Sequence, residues 1–287
     1  MIIWIASYPK AGNTWLRVIL SQLLYKENRN EIDVFKNLDK FPTYPKHEHF
    51  KGLSQDFDKP EGFTNLNVIK NWILSQEKMN LDRKLKFLKT HNYACKLNIS
   101  DKENFSFTDV KNTLGVIYIV RDPRNLITSL KYQFSLDTYE ETLEMMSDEN
   151  KWIGKISAVP QILSSWDNHF KSWSRFPNNF LLIKYEDLLN NTKNEIKNLV
   201  NYLNKFQKLN IDDFDIDQII KNSHFSNLKN QESLQGFKER VPDKKTNKKK
   251  TFFNLGPENN WKNILDKEIV DKIEFRFGST MKELGYI

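Results

Sequence analysis

The run Ile2 to Ala6 is short, apolar and largely β-branched; it breaks at Ser7 to Gly12 and gives way to Asn13 to Tyr25, where Leu16, Ile19, Leu20, Leu23 and Leu24 recur at helical spacing. An apolar run without alternation reads as a strand buried on both faces, and recurrence at three and four residues reads as an amphipathic helix. Short runs of the same kind return at Leu85 to Thr90, Val116 to Arg121 and Phe180 to Lys184. The third leads through Pro123 into a helical stretch ending near Lys131, and the fourth into Glu186 to Leu189 and Lys193 to Leu203. Strands that alternate with helices predict an α/β fold of three layers: a central parallel sheet, helices on both faces, and a P-loop-like phosphate-binding loop after the first strand. Ligands in such sheets lie beyond the carboxyl ends of the strands.

Only 9 Gly and 9 Pro interrupt the 287 residues and no stretch reads as a linker, so a single domain over residues 1–287 is expected. Three segments stand outside the alternation. Residues 28–82 and 134–165 are predicted acceptor-site or lid segments, and 239–251 a mobile basic loop. The single cysteine, Cys95, excludes an intrachain disulfide framework and suits a reducing compartment. No apolar run approaches the roughly 18 residues of a membrane span, and the opening run lacks the basic segment of a signal peptide. A cytoplasmic protein that binds no membrane is therefore expected. The net charge of +7 favours anionic partners, and much of it sits between Lys244 and Lys250. Nucleic acid is not expected, since the aromatic residues fall at core spacings and not along an exposed basic face.

The loop Ser7-Tyr8-Pro9-Lys10-Ala11-Gly12-Asn13-Thr14-Trp15 lies where backbone amides and a helix start favour an anion. Against the G-x-x-x-x-G-K-[ST] pattern, Gly12 and Thr14 fall on the second glycine and the hydroxyl, but Asn13 replaces the lysine and the only lysine is Lys10. A lysine placed earlier suits a short 5′-phosphate whose bridging oxygen gains charge as it departs, and argues against a magnesium–triphosphate enzyme. The loop resembles the 5′-phosphosulfate-binding loop of the sulfotransferases that use 3′-phosphoadenosine-5′-phosphosulfate (PAPS), T-Y-P-K-S-G-T-T-W. That resemblance implies cofactor contacts from Lys10, Ala11, Gly12, Asn13, Thr14 and Trp15.

Further segments follow the order of that family from Ser7 to Lys262. Lys89-Thr90-His91 resembles its Lys-Thr-His strand end, which implies His91 as catalytic base, with Lys89 balancing charge on the sulfuryl oxygens. An imidazole that titrates near neutrality suits the removal of a hydroxyl proton. Tyr118 to Arg124, with Ser129 beyond, is similar to the 3′-phosphate segment and implies contacts from Arg121 and Ser129. The rival for Arg121 is an ion pair with Asp122. Tyr185, in Lys184 to Leu188, and Phe225, in Ser223 to Lys229, match aromatics that lie by the adenine, with Trp15 on its other face. Phe253 to Lys262 keeps Phe253, Gly256, Trp261 and Lys262 of F-R-K-G-x-x-G-D-W-K, but the Arg-Lys pair becomes Asn254-Leu255 and the second glycine becomes Asn259. Replacement of the lost cations by Lys248, Lys249 or Lys250 is expected. His47, His49, His169 and His224 have no comparable setting and read as loop, helix or connecting residues.

The resemblance implies in-line transfer of a sulfuryl group from PAPS, leaving 3′,5′-adenosine bisphosphate (PAP), to the hydroxyl or amine of a small acceptor. An alcohol or phenol is expected from the aromatics of the variable segments. His91 takes the proton, Lys10 and the loop amides stabilise the departing phosphate, and no metal is required. The rivals are a P-loop kinase or NTPase, which Asn13 disfavours, and a non-catalytic nucleotide- or polyanion-binding protein.

Overall fold

The computed structural model describes residues 1–25, 33–58, 64–100, 103–154, 159–177, 179–243 and 246–287, the side chains of 58, 98–100 and 103 excepted. The elements run β1 (Ile2–Ser7), α1 (Asn13–Leu24), α2 (Asn65–Lys70), α3 (Trp72–Asn80), β2 (Lys86–Thr90), β3 (Lys96–Ser100), β4 (Glu103–Ser106), β5 (Thr113–Val120), α4 (Pro123–Phe134) and α5 (Tyr139–Ser147). They continue with β6 (Trp152–Ile153), β7 (Gln161–Ile162), α6 (Trp166–Ser174), β8 (Phe180–Lys184), α7 (Tyr185–Asn190), α8 (Thr192–Leu203), α9 (Asp213–Ser223), α10 (Phe225–Gln235), α11 (Trp261–Ile264) and α12 (Lys267–Glu283). Two compact units emerge. The first holds residues 1–9, 41–120 and 145–182, the second 10–40, 121–144 and 183–287.

The first unit is built on a four-stranded sheet in the order β2-β1-β5-β8, although the last two residues of β8 group with the second unit. β1 pairs in parallel with β2, Ile3 opposite Phe87, and with β5, Trp4 opposite Val116. Every residue of β1 is buried, as an unalternated apolar strand in the middle of a parallel sheet requires. The Trp4 indole sits 5.2 Å from Phe107, 5.4 Å from Tyr44 and 6.0 Å from Trp173, and its N–H reaches Thr113 Oγ1 at 2.9 Å. α6 covers β1 and β5 through Trp173 and Phe170, the latter 5.8 Å from Tyr118. Aromatic rings at such separations contribute beyond their buried area. Two short antiparallel pairs, β3–β4 and β6–β7, complete the unit. Neither was read as a strand pair in the sequence, although Lys96 to Ser100 alternates polar and apolar residues.

In the second unit, α1 is buried along most of its length and packs on α9. Val18 joins Val34, Leu38, Leu228, Phe237 and Phe253 in one apolar cluster, which Trp15, Phe35, Phe225 and Phe252 flank. α4 begins on Asp122, whose carboxylate accepts from the Arg124 N–H at 2.9 Å, with Pro123 in the first turn where no amide is needed. Between Val241 and Lys250 the chain folds back on itself, Lys250 N–H donating to Val241 O and Asp243 N–H to Lys248 O. Lys244 and Lys245 of the predicted basic loop lie outside the described residues.

Candidate active site

Lys10 follows Tyr8 and Pro9 at the carboxyl end of β1, and its φ of 66° lies in the left-handed region. Gly12, the N-cap of α1, has φ 106° and ψ 9° and carries no side chain to take the first amides of the helix. Alternation between left- and right-handed residues turns successive amides toward one point, the arrangement that holds anions. Asn13 and Thr14 are buried, and Ala11 fully so. The Lys10 ammonium lies over the Phe252 ring, 3.9 Å from its centroid, and the Lys10 carbonyl accepts from Arg121 Nη1 at 3.4 Å.

Arg121 begins the second stretch of that unit, directly after β5. Its rival reading, a pair with Asp122, is not what forms. Asp122 binds Arg124 instead, Nη2 to Oδ2 at 2.7 Å, and Arg124 is completed by Glu274 at 2.6 Å. Among the described residues no carboxylate pairs with Arg121, which is 6% exposed. Its Nη1 donates to Ser129 Oγ at 3.2 Å, its guanidinium stacks 4.2 Å from the centre of the Tyr185 ring, and its buried Nε has no partner. The Glu186 carboxylate feels the Arg121 charge without forming an ion pair with it, and a buried cation so weakly matched gains from a ligand that brings a negative charge. Asn259, which stands where the family carries glycine, donates from Nδ2 to Ser129 Oγ at 3.2 Å and to Asn125 O at 2.7 Å. With two donors on its oxygen, the Ser129 hydroxyl keeps its own proton for a further acceptor.

The aromatic residues expected by the adenine fall in the same unit. Trp15 meets Tyr185 edge-on at 5.5 Å, with its buried indole N–H unpartnered. Phe225 leans on Gly256, whose φ of 55° and bare α-carbon allow it; a Cβ there would stand 2.3 Å from the Phe225 ring. The three Lys candidates diverge. Lys250 Nζ donates to Tyr132 O and to Ser135 Oγ, the latter at 2.7 Å, and pairs with Asp243 at 3.3 Å, so it caps the carboxyl end of α4. Lys248 and Lys249 are exposed.

His91 belongs to the first unit, one residue past β2. Its backbone N–H donates to Gln161 Oε1 at 2.9 Å, and its carbonyl lies 3.1 Å from His169 Nε2. The ring Nδ1 lies 2.8 Å from the Ser7 carbonyl and 3.3 Å from Ser7 Oγ. A carbonyl only accepts, so Nδ1 carries the proton and Nε2 carries the lone pair of the neutral ring. Lys89, two residues earlier, pairs with Ile5 within the sheet and with Thr43 through a backbone bridge.

His169 is more than the helix residue that the sequence suggested. It is fully buried, burial pulls its pKa down to about 3, and its Nδ1 accepts from the Tyr118 hydroxyl at 2.8 Å. The neutral ring therefore offers Nε2–H to the His91 carbonyl. His49 is likewise lowered by burial, to about 4, and accepts the Lys46 N–H, while His224 caps α10. Arg17, Glu239 and Gln161 were also passed over. Thr14 Oγ1 donates to Glu239 Oε2 at 2.9 Å, and Arg17 Nη2 reaches Glu239 Oε1 at 2.6 Å. A contact across 222 positions leaves no local trace in a sequence.

A family model described as a sulfotransferase domain matches residues 2–285. Cytosolic sulfotransferase 17 of Arabidopsis thaliana is 24% identical over 290 residues, covering 99% of this chain and 75% of the relative. The 3-beta-hydroxysteroid sulfotransferase of Cavia porcellus is 25% identical over 272 residues, covering 93% of this chain and 80% of its own. A mouse sulfotransferase crystallised with PAP shares the fold, with a TM-score of 0.59 at 18% identity over 98% of this chain and 84% of that one.

Proposed function

The chain belongs to the sulfotransferase family, and from that premise we propose that it acts as one domain that transfers a sulfuryl group from PAPS to the hydroxyl of a small alcohol or phenol. The observation that carries the choice of donor is Arg121. A buried guanidinium in no ion pair among the described residues, with an unpartnered Nε and a Ser129 hydroxyl beside it, suits a phosphate. Gly256 adds a second fit, since only a residue without a Cβ leaves Phe225 its place for stacking on a purine.

PAPS supplies the sulfuryl group. Arg121 and Ser129 hold the 3′-phosphate, and Trp15, Tyr185 and Phe225 hold the base. Lys10, with the amides of Ala11 to Thr14, neutralises the charge that grows on the 5′-phosphate as the bond to sulfur breaks. His91 Nε2 takes the proton of the attacking hydroxyl; its Nδ1–H, fixed on Ser7 O, keeps the ring in the tautomer that can do so. Lys89 balances charge on the sulfuryl oxygens. A P-loop kinase is not favoured, because Asn13 occupies the place of the Walker lysine and its Oδ1 accepts from Arg17 Nε at 3.0 Å.

The steroid substrate in the name of the Cavia porcellus relative supports a hydroxyl acceptor, and an amine sulfotransferase of Oryctolagus cuniculus, 21% identical, keeps the amine in view. Residues 28–82 and 134–165 are the proposed acceptor walls; 28–32, 59–63 and 155–158 of them lie outside the described residues. No described helix is long and apolar enough to cross a membrane, and the cytosolic relative supports a cytoplasmic location. The test is a thermal-shift titration with PAP and with Mg-ATP. A saturable rise in melting temperature with PAP and none with Mg-ATP is expected. A rise with Mg-ATP alone would overturn the reading.

A further inference from the structure

Thr14 has one hydroxyl proton, and in this structure the proton is committed to a carboxylate. Glu239 Oε2 accepts it at 2.9 Å, while Arg17 Nη2 donates both to Thr14 Oγ1 at 3.0 Å and to Glu239 Oε1 at 2.6 Å. Two donors from the first turn of α1 thus converge on one anion. The Arg17 side chain is 3% exposed, whereas Glu239 is 29% exposed and sits on the segment that also brings Phe252 over Lys10. Under the PAPS reading, on which this inference rests, Thr14 belongs to the 5′-phosphosulfate contact, and it cannot give its proton to both partners at once.

We propose that Glu239 is an internal anion that holds the donor's seat, and that Arg17 is a further donor-binding residue: the 5′-phosphate end of PAPS displaces the Glu239 carboxylate and takes over the hydrogen bonds from Thr14 and Arg17. The exchange is anion for anion, so the buried arginine is never left without a counter-charge. Release of Glu239 is then a step in donor binding, and the Glu239 carboxylate occupies the seat when no donor is present. The alternative is that Glu239 stays in place as a permanent brace for Arg17 and Thr14, in which case the phosphate gains from its presence.

The two arrangements predict opposite signs. PAP affinity of the full chain is measured by isothermal titration for the wild type, Glu239→Gln, Glu239→Ala and Arg17→Met, with adenosine 3′-monophosphate, which lacks the 5′-phosphate, as the comparison ligand. Displacement of a charge-assisted hydrogen bond corresponds to a change on the order of tenfold. Glu239→Gln is expected to bind PAP about tenfold more tightly and adenosine 3′-monophosphate unchanged. Arg17→Met is expected to weaken PAP by a similar factor with the same indifference to the 3′-monophosphate. Weaker or unaltered PAP binding in Glu239→Gln, which keeps the shape of the side chain, overturns the proposal in favour of the brace. Should Glu239→Ala fail to fold, the glutamine variant alone decides. Failure of the wild type to bind PAP at all, with Mg-ATP binding retained, would instead remove the donor reading beneath it.

Discussion

Around His91 the polar groups are claimed on every side: N–H to Gln161, C=O to His169, ring Nδ1 to Ser7. Around Arg121 the reverse holds, with a buried guanidinium in no ion pair among the described residues, an unpartnered Nε, and an unpartnered indole N–H on Trp15, which meets the same Tyr185 ring. The contrast matches the roles proposed for each region. A proton acceptor works when its tautomer and direction are fixed, and the bond from Nδ1 to Ser7 fixes both. An anion site works when buried donors keep bonding capacity in hand, as the Arg121 Nε does.

Replacing His91 tests the satisfied region. His91→Ala is expected to lower turnover by about 10² to 10⁴, the range of a lost general base, while PAP binding stays within a factor of two or so. A parallel loss of PAP affinity would break the division of labour between the two regions. Arg121→Ala tests the unsatisfied one. PAP affinity should fall by roughly 10- to 100-fold, the worth of hydrogen bonds to a charged partner, and Arg121→Lys should recover little because the planar stack on Tyr185 is lost. Equal recovery by lysine would reduce Arg121 to a point charge.

His169 offers a sharper view of the satisfied side. Its pKa is lowered to about 3 in the folded chain against a reference of 6.5, so the unfolded chain binds the extra proton between those values. The stability it contributes is complete above pH 6.5 and is lost as pH falls toward 3. From pH 7 to pH 5 the loss is about 2 kcal/mol, measurable by urea unfolding, and His169→Asn should flatten it. The smallest effect on PAP binding is expected at Gly256. Gly256→Ala combines a left-handed backbone with a methyl group that overlaps the Phe225 ring, and should cost about 2–5 kcal/mol of stability, with a modest weakening of PAP. An unchanged affinity would separate Phe225 from the purine.

The sequence disclosed the α/β frame because β1 and β5 are continuous apolar runs and α1 has an unbroken helical period; the predicted end of α1 at Tyr25 misses its last residue, Leu24, by one. The loop and Arg121 were legible because each sits at a strand end, where a spacing rule applies. Arg17, Glu239 and His169 were not. Their roles arise from partners 222 and 78 positions away, and a lone Arg, Glu or His on a helix or loop looks like any other. Within residues 28–82, read as an acceptor-site or lid segment, Phe41, Tyr44, Phe50 and Phe57 are buried, and Phe50 packs against both Tyr44 and Phe57, an arrangement without periodicity. Asn259 shows the complementary case. The sequence marked it as a departure from glycine, and only folding brings its amide onto Ser129.

Cys95 is the chain's single thiol, 3% exposed and pushed up to about 12 by burial. At neutral pH it holds almost no thiolate, so alkylating reagents have nothing to attack. A cysteine placed at exposed Lys248 would therefore react alone, without prior removal of the native one. The fold thus supplies a clean background for attaching a single dye to the segment that carries Glu239, and for testing whether it moves as nucleotide arrives.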